Sequence, residues 1–163
     1  SCLVGSEMCI RDSWMADDKI DLLKLYFEQS IDQILSEALI DFQNDHSASI
    51  NEKLTDIILR ICEFHEKYKP SITKLHKSKF ADPKLIKLFV YFMHDLAKKS
   101  LKISGGETNS FRDSFILIGL ISSYTLIFEK WISLSETDMS YMMKIADKYI
   151  NNAEEFASNL KII

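Results

Sequence analysis

The chain has 163 residues, 47% hydrophobic and 27% charged, with a formal net charge of -4. That length supports one domain with a core of its own, and the acidic balance argues against nucleic-acid binding through overall charge. Glycine (4) and proline (2) are scarce, which fits long helices separated by few breaks. Cys2, Cys9 and Cys62 form no CxxC pair and no zinc spacing, and Cys62 is expected as a reduced core thiol of a cytoplasmic protein.

Residues 1–13, SCLVGSEMCIRDS, have no helical or strand period and lack the basic start and apolar core of a signal peptide. They resemble the translation of a sequencing adaptor. The expectation is a non-native segment at 1–13 and a single domain at 14–163, with the natural N-terminus upstream of Trp14 and Met15 not necessarily an initiator. A natural disordered tail is the alternative.

From Trp14 the chain predicts a bundle of about six helices. Asp17 and Asp18 can cap a first helix by accepting free backbone N–H groups. Leu23, Phe27, Ile31, Ile34, Ala38 and Phe42 then share one amphipathic face to about Gln43. Asn44, Asp45, His46 and Ser47 break it. Ser49 and Glu52 have the capping-box spacing ahead of a second helix. Its inner face carries Leu54, Ile57, Ile58, Ile61, His65 and Tyr68, and Pro70 is expected to stop it. After a short segment at 71–79, Asp82-Pro83 reads as an N-cap with proline at the first helical position. The next helix, to about Lys102, carries Leu85, Leu88, Phe89, Phe92, Met93 and Leu96 on a wide apolar face, opposite Lys84, Lys87, Tyr91, His94, Lys98 and Lys102. Gly105-Gly106 ends it.

The stretch Phe111–Trp131, started by Ser110, is the centre of the pattern. It carries no charge from Ser114 to Phe128, and its apolar residues lie on every face: Phe115, Ile118 and Thr125 on one, Leu117, Ile121, Tyr124 and Phe128 on another, Ile116, Leu120 and Ile127 on a third. A helix apolar all round is buried on all sides or spans a membrane. The uncharged run falls short of the roughly 20 residues a span needs, so no membrane partner is expected. The predicted role is a central bundle helix, wrapped by its own chain on one side and by a second copy on the other. The last helix, capped by Ser135, carries Met139, Met143, Ala146, Ile150, Ala153, Ala157 and Leu160 at alternating heptad spacing, the signature of helix pairing. Three alanines there, and Gly119, Ser122 and Ser123 on the central helix, allow close approach. The last two long helices are therefore expected to pair with each other and with their symmetry mates as a four-helix bundle in a homodimer, with Phe115 joining the interface. The alternative is a seam that packs only within the chain.

No reaction is legible. His65-Glu66 begins like HExxH, but position 69 is lysine. The Glu-x-x-His pairs of di-iron bundles, a phosphate-binding glycine loop and a GxSxG elbow are absent. No enzyme, cofactor or metal is expected. A cavity between helices lined by Phe64, His65, Tyr68, Phe89, Phe92, Met93 and Tyr124 would suit a small apolar ligand. The simpler reading makes these residues core, with His65 merely hydrogen-bonded inside it. Lys67, Lys69, Lys74, Lys77, Lys79, Lys84 and Lys87 read as solvated surface, or more sharply as a face toward DNA phosphates or another domain.

Three stretches resemble the regulatory part of TetR-family transcriptional repressors. ADDKIDLLKLYFEQSIDQIL (Ala16 to Leu35) is similar to the join after that family's DNA-binding domain. Lys19, Leu22 and Leu23 match, while Ala16 stands where the family usually has Phe. SFILIGLISSYTLIFEKWI (Ser114 to Ile132) resembles the penultimate helix, with its Phe, Gly119 and Lys130-Trp131-Ile132. SETDMSYMMKIADKYI (Ser135 to Ile150) resembles the start of the last one. The resemblance implies a homodimer through helices at about 111–133 and 136–158, a small-molecule cavity among the earlier helices, and DNA contact only through a helix-turn-helix missing before Ala16. In that family, ligand shifts the long helix that is here 18–43. The segment after Pro70 resembles the element coupling cavity to DNA reader, so its lysines would face the missing domain. The expected function is thus a small-molecule-sensing, homodimerising domain. The alternative is a free-standing helical dimeric interaction protein without DNA binding.

Overall fold

Few residues in this chain can interrupt a helix, and the architecture follows from where they fall. In the computed structural model, backbone is described for residues 2–44, 47–106 and 111–159, and side chains for 19–44, 47–106 and 114–155. The helices are α1 Cys2–Asn44, α2 Ile50–His65, α3 Lys69–Ser78, α4 Pro83–Ile103, α5 Phe111–Ser133 and α6 Met139–Asn159, with 3₁₀ turns at Glu66–Tyr68 and Lys79–Ala81. Five helices are long and α3 is short; the described residues include no strand.

Local chemistry sets most boundaries. At α2 the capping box forms: Glu52 N donates to Ser49 Oγ at 3.3 Å, and Ser49 N donates to Glu52 Oε2 at 2.6 Å. Asp82 Oδ1 accepts from Lys84 N at 2.9 Å, with Pro83 first in α4. At its other end Gly106 N donates to Leu101 O and Gly105 N to Lys102 O, with Gly105 at φ 95. This is a Schellman ending, which needs the left-handed residue glycine supplies.

Three boundaries differ from expectation. Helix α1 does not begin at Asp17-Asp18 but runs from Cys2. No proline intervenes, and extending an existing helix costs little compared with nucleating one. The side chains of the adaptor-like residues 1–13 lie outside the described residues, as does Ser110. Pro70 does not end α2; it sits in the first turn of α3, where its missing N–H is not needed. It cannot donate to the Glu66 carbonyl, so the α ladder gives way one turn upstream, in the 3₁₀ turn. The cap of α6 is Asp138, not Ser135: Asp138 Oδ1 accepts from Ser140 N at 2.9 Å and Tyr141 N at 3.3 Å.

The expected inner faces pack as one core. Phe27, Ile31, Ile34 and Ala38 of α1 meet Ile57, Ile58 and Ile61 of α2, and Leu88, Phe92 and Leu96 of α4 close over them. Tyr68 is the exception, 45% exposed, because the 3₁₀ turn changes the helical phase before it. Helix α5 packs between α4 and α6, and α6 also packs on α2. Tyr124 and Trp131 of α5 are fully buried. Tyr124 Oη donates to the Leu54 carbonyl at 2.9 Å, and Trp131 Nε1 to Glu66 Oε2 at 2.6 Å. Cys62 is a buried free thiol pushed up to about 12 by burial, then by Glu66, with Lys69 opposing.

Truncating Trp131→Ala should cost about 3–5 kcal/mol of unfolding free energy in urea. Phe80→Ala, at a side chain 81% exposed, should change it by no more than about 0.5 kcal/mol.

Candidate functional site

Lys79–Ala81 and the Asp82 cap turn the chain sharply, so the end of α3 is brought against α5. Between that turn, α4 and α5 lies a cleft of about 360 Å³. Its walls are Phe89 and Met93 of α4 with Ile121 and Phe128 of α5, and Phe80, Ile86 and Val90 form an exposed apolar lip. His76, Lys79 and Glu129 gather at one end; Thr125 and His94 complete the lining. Lys79 Nζ lies 3.4 Å from Glu129 Oε1, and His76 Nε2 lies 3.6 Å from the same oxygen. Lys79 Nζ also donates to His76 Nε2 at 2.5 Å, which places the imidazole proton on Nδ1. The His76 ring stands edge-on to Phe89, with centroids 5.3 Å apart. Burial first, then Lys79, lowers the His76 pKa, and Glu129 opposes them.

A second depression, of about 400 Å³, lies beside Asp41, Phe42 and Arg60. Its guanidinium is already clamped by Asp41 and Asp56, each at 2.7 Å. Among the described residues no His, Cys, Asp and Glu cluster has the makings of a metal site. The first cleft, apolar with a few convergent polar groups, has the form of a small-molecule site.

Of the seven residues expected at a cavity, only Phe89 and Met93 line the cleft. Phe92 and Tyr124 are core, Phe64 is half-buried and Tyr68 faces outward. His65, 1% exposed, takes the simpler of its two readings. Its Nδ1–H donates to the Ile61 carbonyl at 2.8 Å, and Tyr26, Phe27 and Phe64 surround the ring. Its Nε2 and the Tyr26 hydroxyl are buried without a hydrogen-bond partner. The periodicity missed His76, Lys79 and Glu129. One signal was present: Glu129 is the first charge after the uncharged run of α5.

The expected interface residues divide. Ser123, Ala146 and Ile150 are buried within the single chain, so they have no surface left for a partner. Ser123 Oγ donates to the Tyr149 carbonyl of α6 at 3.1 Å. Gly119 also faces α6, where an added Cβ would meet the Ala153 Cβ at 3.7 Å. Met142 is fully buried beside the expected seam, whereas Met143, expected at the dimer interface, is 53% exposed in the single chain. The buried arc is wider than the expected seam, taking in Met142 and Tyr149, because α6 is gripped from two sides, by α5 and by α2. Met139 and Ala153 are half-buried, and Ala157 lies outside the described side chains. Phe115 and Ser122 are exposed, on an outward face of α5 with Ile118 (60% exposed) and Leu126 (46%). By length and hydropathy Ser114–Ser133 is apolar enough to cross a membrane, with 33% of that window buried in the fold. Two lysines of the basic run are held internally, Lys69 by Glu66 and Thr137, Lys79 in the cleft.

Comparison with protein-family models, curated proteins and solved structures finds no match to this chain.

The His65 and His76 pKa values lie below the ordinary 6.5 when folded, chiefly through burial. The unfolded chain therefore takes up these protons at higher pH than the folded one. The stability contributed by the neutral rings is fully present above about pH 6.5 and is lost as pH falls through the folded values. The urea midpoint should drop between about pH 7 and pH 5, and His65→Gln should make that drop shallower.

Proposed function

We propose that this chain is the ligand-sensing and homodimerising domain of a TetR-like regulator. The cleft between α3, α4 and α5 is the sensor, and the outward face of α5 meets a second copy. The observation that carries this reading is the two-sidedness of α5. One side, Leu120, Tyr124, Ile127 and Trp131, is core, and the opposite side still presents Ile118 and Leu126 to solvent. A contiguous exposed apolar surface marks an interaction site, and twofold self-association is the commonest way to cover one. Tyr141 of α6, its ring 5.8 Å from Lys130 Nζ, extends that surface toward the last helix.

The helix order supports the TetR-like assignment: a long first helix, a short segment after Pro70 and two long final helices packed together. On this reading the interface lies on α5 with the outer edge of α6, and the heptad seam of α6 holds the chain's own core. The net charge of -4 argues against DNA contact through this chain's own overall charge.

Sedimentation equilibrium at about 10 μM should give a dimer. Ile118→Lys should yield a monomer with unchanged helical circular dichroism, because Ile118 is 60% exposed in the single chain. A wild-type chain that is strictly monomeric at that concentration would remove the dimer from this reading.

A further inference from the structure

The cleft is apolar along its walls and charged at one end, and that end is asymmetric. The His76 and Lys79 side chains are drawn into the wall, 14% and 15% exposed, whereas Glu129 stands at the lip, 46% exposed. Two nitrogen groups thus face inward against one half-solvated carboxylate. Glu129 is well placed to swing into water when a competing anion arrives, and its ion pair with Lys79 is weakened by that exposure. An apolar body laid along Phe89, Met93 and Phe128 would cover the Lys79 ammonium. A buried cation needs an anionic partner, so a neutral occupant leaves Lys79 with only the half-exposed Glu129 at 3.4 Å, and a cationic one is repelled. Taking the cleft as the sensor site proposed above, we infer that its ligand is an apolar molecule bearing one carboxylate. The carboxylate sits against Lys79 Nζ and His76, displacing Glu129, and the hydrocarbon lies along Phe89, Met93 and Phe128.

The arrangement also sets a pH dependence. His76 faces Lys79 from the 3₁₀ turn and Glu129 from α5, and His94 of α4 lines the same cleft. A ligand carboxylate closer to the ring than Glu129, now at 3.6 Å, favours the imidazolium. Binding therefore takes up a proton, and affinity rises as pH falls through the histidine range.

Titration calorimetry on the full chain with octanoate, 1-octanol and octylammonium tests the assignment. Octanoate should bind roughly tenfold or more tightly than either of the others, as expected for a charge-assisted contact. Lys79→Gln should abolish that preference while leaving 1-octanol within about twofold of wild type. Val90→Trp, which fills the open side of the cleft from a residue 63% exposed, should weaken all binding. Octanoate and 1-octanol binding equally, with Lys79→Gln silent, would overturn the carboxylate assignment and leave the sensor cleft standing. A preference for octylammonium would do the same. If none of the three binds, or binding survives Val90→Trp, the sensor reading falls together with the ligand class.

Discussion

Trp131 cannot be buried without an acceptor for its indole N–H, and the way that requirement is met ties four elements together. Glu66, in the turn after α2, accepts the indole at 2.6 Å and the Thr137 hydroxyl, from the loop between α5 and α6, at 2.8 Å. Lys69, the first residue of α3, lies 3.5 Å from the same carboxylate, donates to Thr137 and sits over the indole ring. The Trp131 N–H and the Lys69 ammonium would be costly to bury alone, and the half-exposed Glu66 carboxylate is the acceptor that makes both tolerable. The end of α2, the start of α3, the end of α5 and the entry to α6 therefore hold one another in place. The break at Pro70 makes this possible, because it puts Glu66 and Lys69 in a tight turn facing α5 instead of one continuing helix.

With that corner fixed, the consequences for α5 follow. Its inner side is committed by Trp131 and by the Tyr124 hydrogen bond to Leu54. The rotation of the helix is no longer free, so Glu129 must point toward the end of α3 and Ile118 must point outward. The cleft and the outward apolar face are neighbouring arcs of one helix, meeting where Thr125 of the cleft lies beside Ile118 and Ser122 of the outward face.

Most of the fold was legible because helix boundaries and inner faces are written in local chemistry. The capping box at Ser49, the Asp82-Pro83 start, the Gly105-Gly106 ending and the inner faces of α1, α2 and α4 depend on residues within a turn or two of one another. The misses at Pro70, Tyr68 and the Asp138 cap lie within a turn of the break concerned, whereas those in the last helix and the cleft depend on partners far along the chain. Met142 joins the core because α6 is held from two sides, which its own spacing does not record. The cleft residues escaped because hydrophobic periodicity separates core from surface, while His76, Lys79 and Glu129 lie at the boundary, brought together from positions about 50 residues apart. His65 shows the converse: an isolated polar residue on an apolar face was flagged, and its hydrogen bond to Ile61 is one turn away in its own helix.

On the proposed reading, the proximity of cleft and outward face on α5 bears on regulation. Two sites are coupled only when some element has two arrangements that each ligand prefers differently. A rigid α5 would transmit nothing, and its Trp131 end is rigid. Nearer its start α5 approaches α6 through small residues: a Cβ added at Gly119 would meet the Ala153 Cβ at 3.7 Å. On the proposed reading, displacing Glu129 from Lys79 removes the ion pair between the Lys79–Ala81 turn and α5, while the Glu66–Trp131 corner keeps α3 attached at its other end. On the proposed reading, the movement available to a bound carboxylate is therefore a tilt of the α3–α4 turn about that corner. Such a tilt would reach α1 through its contacts with α4, where Tyr91 donates to Glu28 and Lys99 pairs with Asp32, each at 2.7 Å.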